Sequence, residues 1–295
     1  MMKEFLLDTI SDISKIRKIR GEASTRSFYR ITHDDKTKIA MVYPDKNSVE
    51  INNIIRLTEL YKKHQLNVPE IFSIIDDRII ILEDIGTESF QSIFKRSNSD
   101  NKKKLLKIIA QIISKLHQIP INNTSLVLDK KRLKWEMDFF IKHYIQDNIS
   151  KANEDCLRAN LYTIVDNISD EIFFCHRDFH SRNMHIYNDK VYLIDFQDSL
   201  QGSYLYDIVS FANDSYLDLG KLRAYFFSQL ESQNIKIDKQ QLNLTALQRN
   251  IKALGTFGYQ INIRKNLSYK KYIGRTLSHI KKNPEGKSIW ELITI

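Results

Sequence analysis

Residues 171–198, EIFFCHRDFHSRNMHIYNDKVYLIDFQD, constrain this chain more than any other stretch. A continuous apolar run turns abruptly polar at His176-Arg177-Asp178, with Asn183 and then Asp195 following. Between them, Met184–Tyr187 and Val191–Ile194 have the composition of two short strands around an Asn188-Asp189-Lys190 turn. Antiparallel partners keep a constant sum of residue numbers. If Tyr187 faces Val191, Asn183 therefore falls opposite Asp195, and opposed Cβ atoms lie roughly 4.5–5.5 Å apart. An amide oxygen and a carboxylate at that separation can share one cation, and a register one residue away still leaves them neighbours.

Phosphoryl transfer uses such a set. Mg²⁺ takes one or two protein oxygens and completes its shell with water and phosphate oxygens. Asp178, ahead of the hairpin, is then free to accept a proton from an attacking hydroxyl, while positioning and charge neutralisation supply most of the acceleration. The competing reading makes the carboxylates turn-formers and His176 a satisfied core histidine. Three polar residues at these offsets, after a buried strand and around a hairpin, weigh against it. The spacing H-x-D-x-x-x-x-N followed by D-F, here His176, Asp178, Asn183, Asp195 and Phe196, resembles the catalytic loop and metal-binding aspartate of the protein-kinase-like superfamily.

At 295 residues the chain can form one large domain or two modest lobes, and 42% hydrophobic against 27% charged residues suits a globular core. MMKEFLLDTISDI at the start is amphipathic without a long apolar run, so neither a signal peptide nor a membrane span is expected. Cys156 and Cys175 are too few for a disulfide framework, and the expected address is the cytoplasm. A net charge of +9 admits nucleic acid, an anionic surface or a polyanion such as ATP. The densest basic stretch, NIRKNLSYKKYIGRTLSHIKKN, alternates tyrosines with lysines as a nucleic-acid groove does. Lysines elsewhere lie on helices whose other face is apolar, so a solvated helix face is the adopted reading, with neither a nucleic-acid nor a membrane partner.

In chain order, helical spacing near residues 3–16 precedes candidate strands at Lys15–Arg20, Ser27–Thr32 and Lys38–Tyr43. The loop between the first two carries Gly21, Ser24, Thr25 and Arg26, where kinases close amides and hydroxyls over phosphates. With a single glycine, a plain polar turn stays open as an alternative. Asn47–His64 reads as a helix, and Ile71–Ile75 with Arg78–Leu82 as a hairpin running out into Glu83-Asp84-Ile85-Gly86. That exit resembles the hinge of a two-lobed kinase, where backbone groups of Glu83 and Ile85 would read the adenine edge. Helical spacing then marks Leu105–Ile119, Trp135–Tyr144, Asp155–Val165, Tyr204–Leu219, Lys221–Gln233, Leu242–Tyr259 and Lys270–Lys282. The expected fold is α+β and two-lobed like a protein kinase. Residues 1–86 form a small, mainly antiparallel β lobe, and residues 87–295 a larger helical lobe with the catalytic loop and acceptor site. The connector after Asp198 is too short for an activation segment and carries no APE-like end, which points to a small-molecule acceptor. Asp207 either braces the catalytic loop or caps a helix.

The chain resembles the aminoglycoside phosphotransferase/choline kinase-like family, and within it the bacterial N-acetylmuramate/N-acetylglucosamine anomeric kinases. GEASTRSFYR, VPEIF, IIILEDIG, CHRDFHSRN, LIDFQD, YDIVSF and LQRNIKALGTFGYQI carry the likeness. It implies ATP-dependent phosphorylation of a sugar's anomeric hydroxyl in cell-wall recycling, with Asp178 as base and Asn183 and Asp195 as Mg²⁺ ligands. Ser24, Thr25 and Arg26 would meet the phosphates, and Glu83 and Ile85 the adenine. His180, Arg182, Gln197 and Asp198 would meet sugar or phosphate, with Asp198 the first choice for a sugar hydroxyl. Arg249 either reaches this site or braces a helix. The third-strand lysine of protein kinases is due near Val42 and is missing, leaving Lys38, Lys46 or Arg26 to supply its charge. Two alternatives stand beside this reading. One is an aminoglycoside- or choline-type kinase, whose cationic acceptor calls for carboxylates or an aromatic cage; the other is a non-catalytic nucleotide- or nucleic-acid-binding module.

Overall fold

Short runs of apolar and β-branched residues in the first third of the chain build an antiparallel sheet, successive side chains going to opposite faces. The elements are α1 (Met2–Thr9), β1 (Lys15–Ile19), β2 (Ser27–His33), β3 (Lys36–Val42), α2 (Ser48–Lys63), β4 (Ile71–Ile75) and β5 (Ile79–Glu83), and the strands lie in the order β1-β2-β3-β5-β4. Ala40 and Val42 pack with Tyr29, Ile31, Ile79, Ile81 and Leu6 of α1 on one face, whereas Met41, Tyr43 and Ile80 pack with Ile51 and Ile54 of α2 on the other. β3 is thus buried on both sides, as a central strand must be. The Asn47 side chain opens α2 by accepting from the Glu50 N–H at 3.1 Å and donating to the Glu50 carboxylate at 3.0 Å. α1 ends at Thr9, short of the expected 16, with the Thr9 hydroxyl bonded back to the Phe5 carbonyl.

The structure, a computed structural model, describes residues 2–10, 13–19, 26–33, 36–146 and 148–293. After β5, Asp84 takes Arg30 of β2 at 2.6 and 2.8 Å and the Gly86 N–H at 3.0 Å. Gly86 has φ +76°, a left-handed conformation that favours glycine. The chain continues through α3 (Phe90–Arg96), α4 (Ser99–His117), α5 (Lys130–Phe140) with a π-helical turn at Ile141–Ile145, α6 (Lys151–Asp166) and β6 (Ile172–Cys175). Next come the hairpin β7 (Met184–Tyr187) and β8 (Lys190–Leu193), then β9 (Leu200–Ser203), α7 (Tyr206–Ala212), α8 (Arg223–Ser232), α9 (Lys239–Asn262), α10 (Lys270–Lys282) and α11 (Lys287–Ile293).

Two compact units result, Met1–Phe90 with Met184–Gln197, and Gln91–Asn183 with Asp198–Ile295. The single cut drawn at residue 86 differs from this division, because the β7–β8 hairpin bonds to the first unit. Ile186 donates to the Glu88 carbonyl at 2.8 Å, Leu193 to the Asn67 carbonyl at 2.8 Å, and the Asn67 amide to the Val191 carbonyl at 3.1 Å. In the second unit, residues 200–203 are not a connector but a strand paired with β6 from Ile172↔Ser203 to Cys175↔Leu200. That partner is distant in sequence, so local spacing carries no sign of it. The core of this unit gathers α5, α6 and α9 around residues such as Phe140, Leu161, Leu247 and Leu254. Tyr269 and Tyr272, read beside their lysines as possible base-stacking groups, are buried in that core. The lysines of α10 are therefore the solvated side of an amphipathic helix. Among the described residues no helix is long and apolar enough to cross a membrane.

Candidate active site

The buried strand β6 ends where the chain must turn, and Arg177 does so at φ 77°, rare for a residue with a side chain. Asp207 supports the turn, accepting the His176 N–H at 2.7 Å and the Arg177 N–H at 3.0 Å. It is the second residue of α7 rather than its cap, which settles its role as a brace. Burial pushes the Asp207 carboxyl up to about 7, against the pull of those two N–H donors. A second brace, not foreseen from the sequence, is Asp214, which accepts the Ser181 N–H at 2.9 Å and the Tyr216 N–H at 2.7 Å.

Asp178 sits beside two cations of α9, with Lys252 Nζ at 3.4 Å and Arg249 at 3.7 Å from its Oδ1. Burial alone would raise its pKa, but Lys252, Arg249 and Arg177 hold it well below the ordinary carboxylate range. Arg249 also donates to the Ser210 hydroxyl at 3.1 Å, so it braces a helix and faces Asp178 at once. Lys252 was missed in the sequence. Its signal is the offset of three from Arg249, which puts both on one face of a helix. Asn183 donates its amide N–H to the Asp178 carbonyl at 3.0 Å, leaving the amide oxygen as the group suited to a cation.

Residues expected at the acceptor fall in different surroundings. His180 lies edge-on to Tyr216 at 4.9 Å, and burial pushes its imidazole down to about 3, so the ring is neutral. The Arg182 guanidinium stands over Tyr216 at 4.4 Å and Tyr272 at 5.0 Å, and donates to the Tyr272 hydroxyl at 2.6 Å. Asp198 is half-exposed with Arg177 at 3.8 Å.

In the first unit, Asp195 adopts φ 62°. Its Oδ1 accepts from Gln197 Nε2 at 2.8 Å and meets Arg26 at 3.5 Å, while the Gln197 carbonyl accepts from Asn53 of α2 at 2.9 Å. Phe196 packs on Tyr61 with centroids 5.0 Å apart. At the end of β5, Glu83 donates its N–H to the Glu70 carbonyl at 2.8 Å, and Ile85 is buried. Gly21, Ser24 and Thr25 lie outside the described residues.

The hairpin register is one residue away from the expected one. Tyr187 pairs with Lys190 and Met184 with Leu193, around a two-residue turn in which Asn188 and Asp189 have φ 47° and 60°. Asn and Asp tolerate this conformation, and such turns match the strand twist. Asn183 and Asp195 consequently leave the hairpin one and two residues beyond its last pair rather than directly opposed. Among the described residues no group of three His, Cys, Asp or Glu side chains forms a metal cage. An amide oxygen and a carboxylate are the donor types taken by an ion that draws the rest of its shell from water and phosphate.

Residues 15–235 match the phosphotransferase enzyme family. The chain belongs to that family. Relatives include the N-acetylmuramate/N-acetylglucosamine kinase of Neisseria meningitidis serogroup B, 21% identical over 207 residues, 67% of this chain and 61% of that protein. The kinase of the same description from Pseudomonas putida is 21% identical over 254 residues, 80% of this chain and 74% of that protein. This family member thus spans about 61% of the length of the Neisseria relative it matches. Among solved structures, the choline kinase LicA from Streptococcus pneumoniae superposes with a TM-score of 0.67 at 17% identity, covering 94% of this chain and 98% of the other. A spectinomycin phosphotransferase in complex with ADP and spectinomycin gives 0.67 at 16% identity, covering 98% and 96%. At such identities the likeness shows the fold, and it is the kinase-like α+β fold expected from the sequence.

Proposed function

We propose that this phosphotransferase uses ATP to phosphorylate a hydroxyl of a neutral or acidic amino sugar, with N-acetylmuramate and N-acetylglucosamine at their anomeric hydroxyls as the first candidates. The observation that carries the proposal is the pair Lys252 and Arg249, enclosed and within 3.4 and 3.7 Å of the Asp178 carboxylate. A cationic acceptor such as an aminoglycoside or choline would meet two like charges where its hydroxyl must approach the base. A neutral sugar would not, and a sugar acid would be attracted. The relatives named for these two sugars agree with that choice.

In this reading Asp178, ionised at any working pH, orients the acceptor hydroxyl and takes its proton as the new bond to phosphorus forms. Asn183, through its amide oxygen, and Asp195, through its carboxylate, would hold Mg²⁺, which when bound neutralises phosphate charge. Asp198 accepts a hydrogen bond from a sugar hydroxyl, and Glu83 and Ile85 meet the base of the nucleotide. The activity suits recycling of cell-wall sugars in the cytoplasm.

ADP release measured with N-acetylmuramate, N-acetylglucosamine, an aminoglycoside panel and choline tests the proposal. Turnover is expected with the amino sugars only. Asp178→Asn should lower it at least about 100-fold while ATP still binds. Absence of sugar-dependent ADP release would refute the substrate class, and full turnover by Asp178→Asn would remove Asp178 as the base.

A further inference from the structure

Kinases of this fold hold the nucleotide phosphates with a third-strand lysine that is itself held by a helix glutamate. Here β3 reads KTKIAMV, and the strand itself carries no lysine or arginine at or next to Val42. Of the three candidates, Lys46 is bonded to Asp76, and both side chains are exposed. Lys38 lies at the other end of β3, over the Phe72 ring at 5.8 Å. Arg26 is placed differently. It immediately precedes Ser27, and Ser27 pairs with Val42, so its guanidinium enters the region of the missing lysine from the neighbouring strand.

The surroundings of Arg26 match that role. One guanidinium nitrogen lies 3.3 Å from the Glu50 carboxylate of α2, and another 3.5 Å from Asp195 Oδ1. The side chain is only 11% exposed, with the Met41 sulfur at 3.8 Å and the Phe28 ring at 5.9 Å. Glu50 is oriented in turn by Asn47 at the start of the helix. Tyr43, beside the pair, has its phenol pushed up to about 12 by its burial and by Glu50, against the pull of Arg26. Arginine has five donors in a planar fork, which suits simultaneous contact with carboxylates and phosphate.

We propose that Arg26 replaces the third-strand lysine: locked by Glu50, it positions Asp195 and meets the nucleotide phosphates. The proposal rests on the phosphotransferase reading above, and equilibrium binding separates the two. Dissociation constants for ATP, ADP and adenosine are measured for the wild type and for Arg26→Ala, Arg26→Lys, Glu50→Gln, Lys38→Ala and Lys46→Ala, with thermal midpoints as the folding check. Arg26→Ala should weaken ATP and ADP by about 10–100-fold, the loss of charge-assisted hydrogen bonds, and leave adenosine within about twofold. Arg26→Lys restores part of the loss, Glu50→Gln loses less than Arg26→Ala, and the two lysine variants bind as the wild type does. Unchanged ATP binding by Arg26→Ala and Arg26→Lys, an equal loss for adenosine and ATP, or a phosphate-specific loss in a lysine variant instead would each overturn the assignment. A wild type that binds no ATP would overturn the phosphotransferase reading itself.

Discussion

Lys252 has two possible parts to play beside Asp178, and they separate by substrate. As a neighbour of the base it holds the carboxylate ionised. As a buried cation it would also attract an acidic acceptor, and burial lowers its own pKa while Asp178 raises it. Lys252→Met removes the charge but keeps much of the side-chain volume. Steady-state kinetics should show kcat/KM falling by about 10–100-fold with N-acetylmuramate and by distinctly less with N-acetylglucosamine, because one buried charge pair contributes in that range. Equal losses with the two sugars would assign Lys252 to the base alone.

α9 carries both cations, and two glycines set how it packs. A Cβ on Gly258 would stand 2.3 Å from the His143 carbonyl oxygen, and one on Gly255 2.8 Å from Phe140 Cα. Both obstacles are backbone, in α5 and the π-helical turn that prolongs it, so neither can step aside as a flexible side chain can. Gly258→Ala should therefore destabilise the chain by about 1–3 kcal/mol or more in urea unfolding, and turnover should fall as Arg249 and Lys252 move with the helix. Gly274 of α10 is the comparison, since a Cβ there meets nothing within 4 Å. Gly274→Ala should stabilise by about 0.5–1 kcal/mol, the gain in helix propensity without a clash.

Stability of the molecule as a whole should fall in mild acid. Burial pushes His117 and His279 down to about 4 and His180 to about 3, and each has a ring nitrogen enclosed without a hydrogen-bond partner. Their unfolded pKa is about 6.5, so each contributes stability that is full above that value and is lost as the pH falls toward the folded one. Asp207, raised to about 7, acts in the opposite sense: its contribution is full below about 4 and is lost as pH rises through 7. His143 and His185 are lowered as well, and only Asp214 joins Asp207 among the raised carboxyls, so the histidines prevail and stability falls between pH 6.5 and 5. Urea unfolding at the two pH values measures the fall, and His279→Gln should make it smaller. A flat profile would show that these rings are solvated.

Much of the molecule is legible in one dimension because its cause is local. The short apolar runs IAMV and IIIL yield the central strands, helical spacing gives α10 at Lys270–Lys282 to the residue, and polar residues interrupting an apolar run mark the catalytic loop. What needed three dimensions has non-local causes. β9 forms because β6 accepts it, and the hairpin closes one residue tighter because its turn residues adopt left-handed conformations. The boundary between the units follows the hydrogen bonds of Asn67 and Glu88 rather than chain order. The electrostatic setting of Asp178 belongs here too. Arg249 and Lys252 lie some seventy residues downstream, and only the packing of α9 brings their charges to it. Sequence determined which groups the chemistry can use. Folding decided which charges they face, since Coulomb forces depend on distance through space and not along the chain.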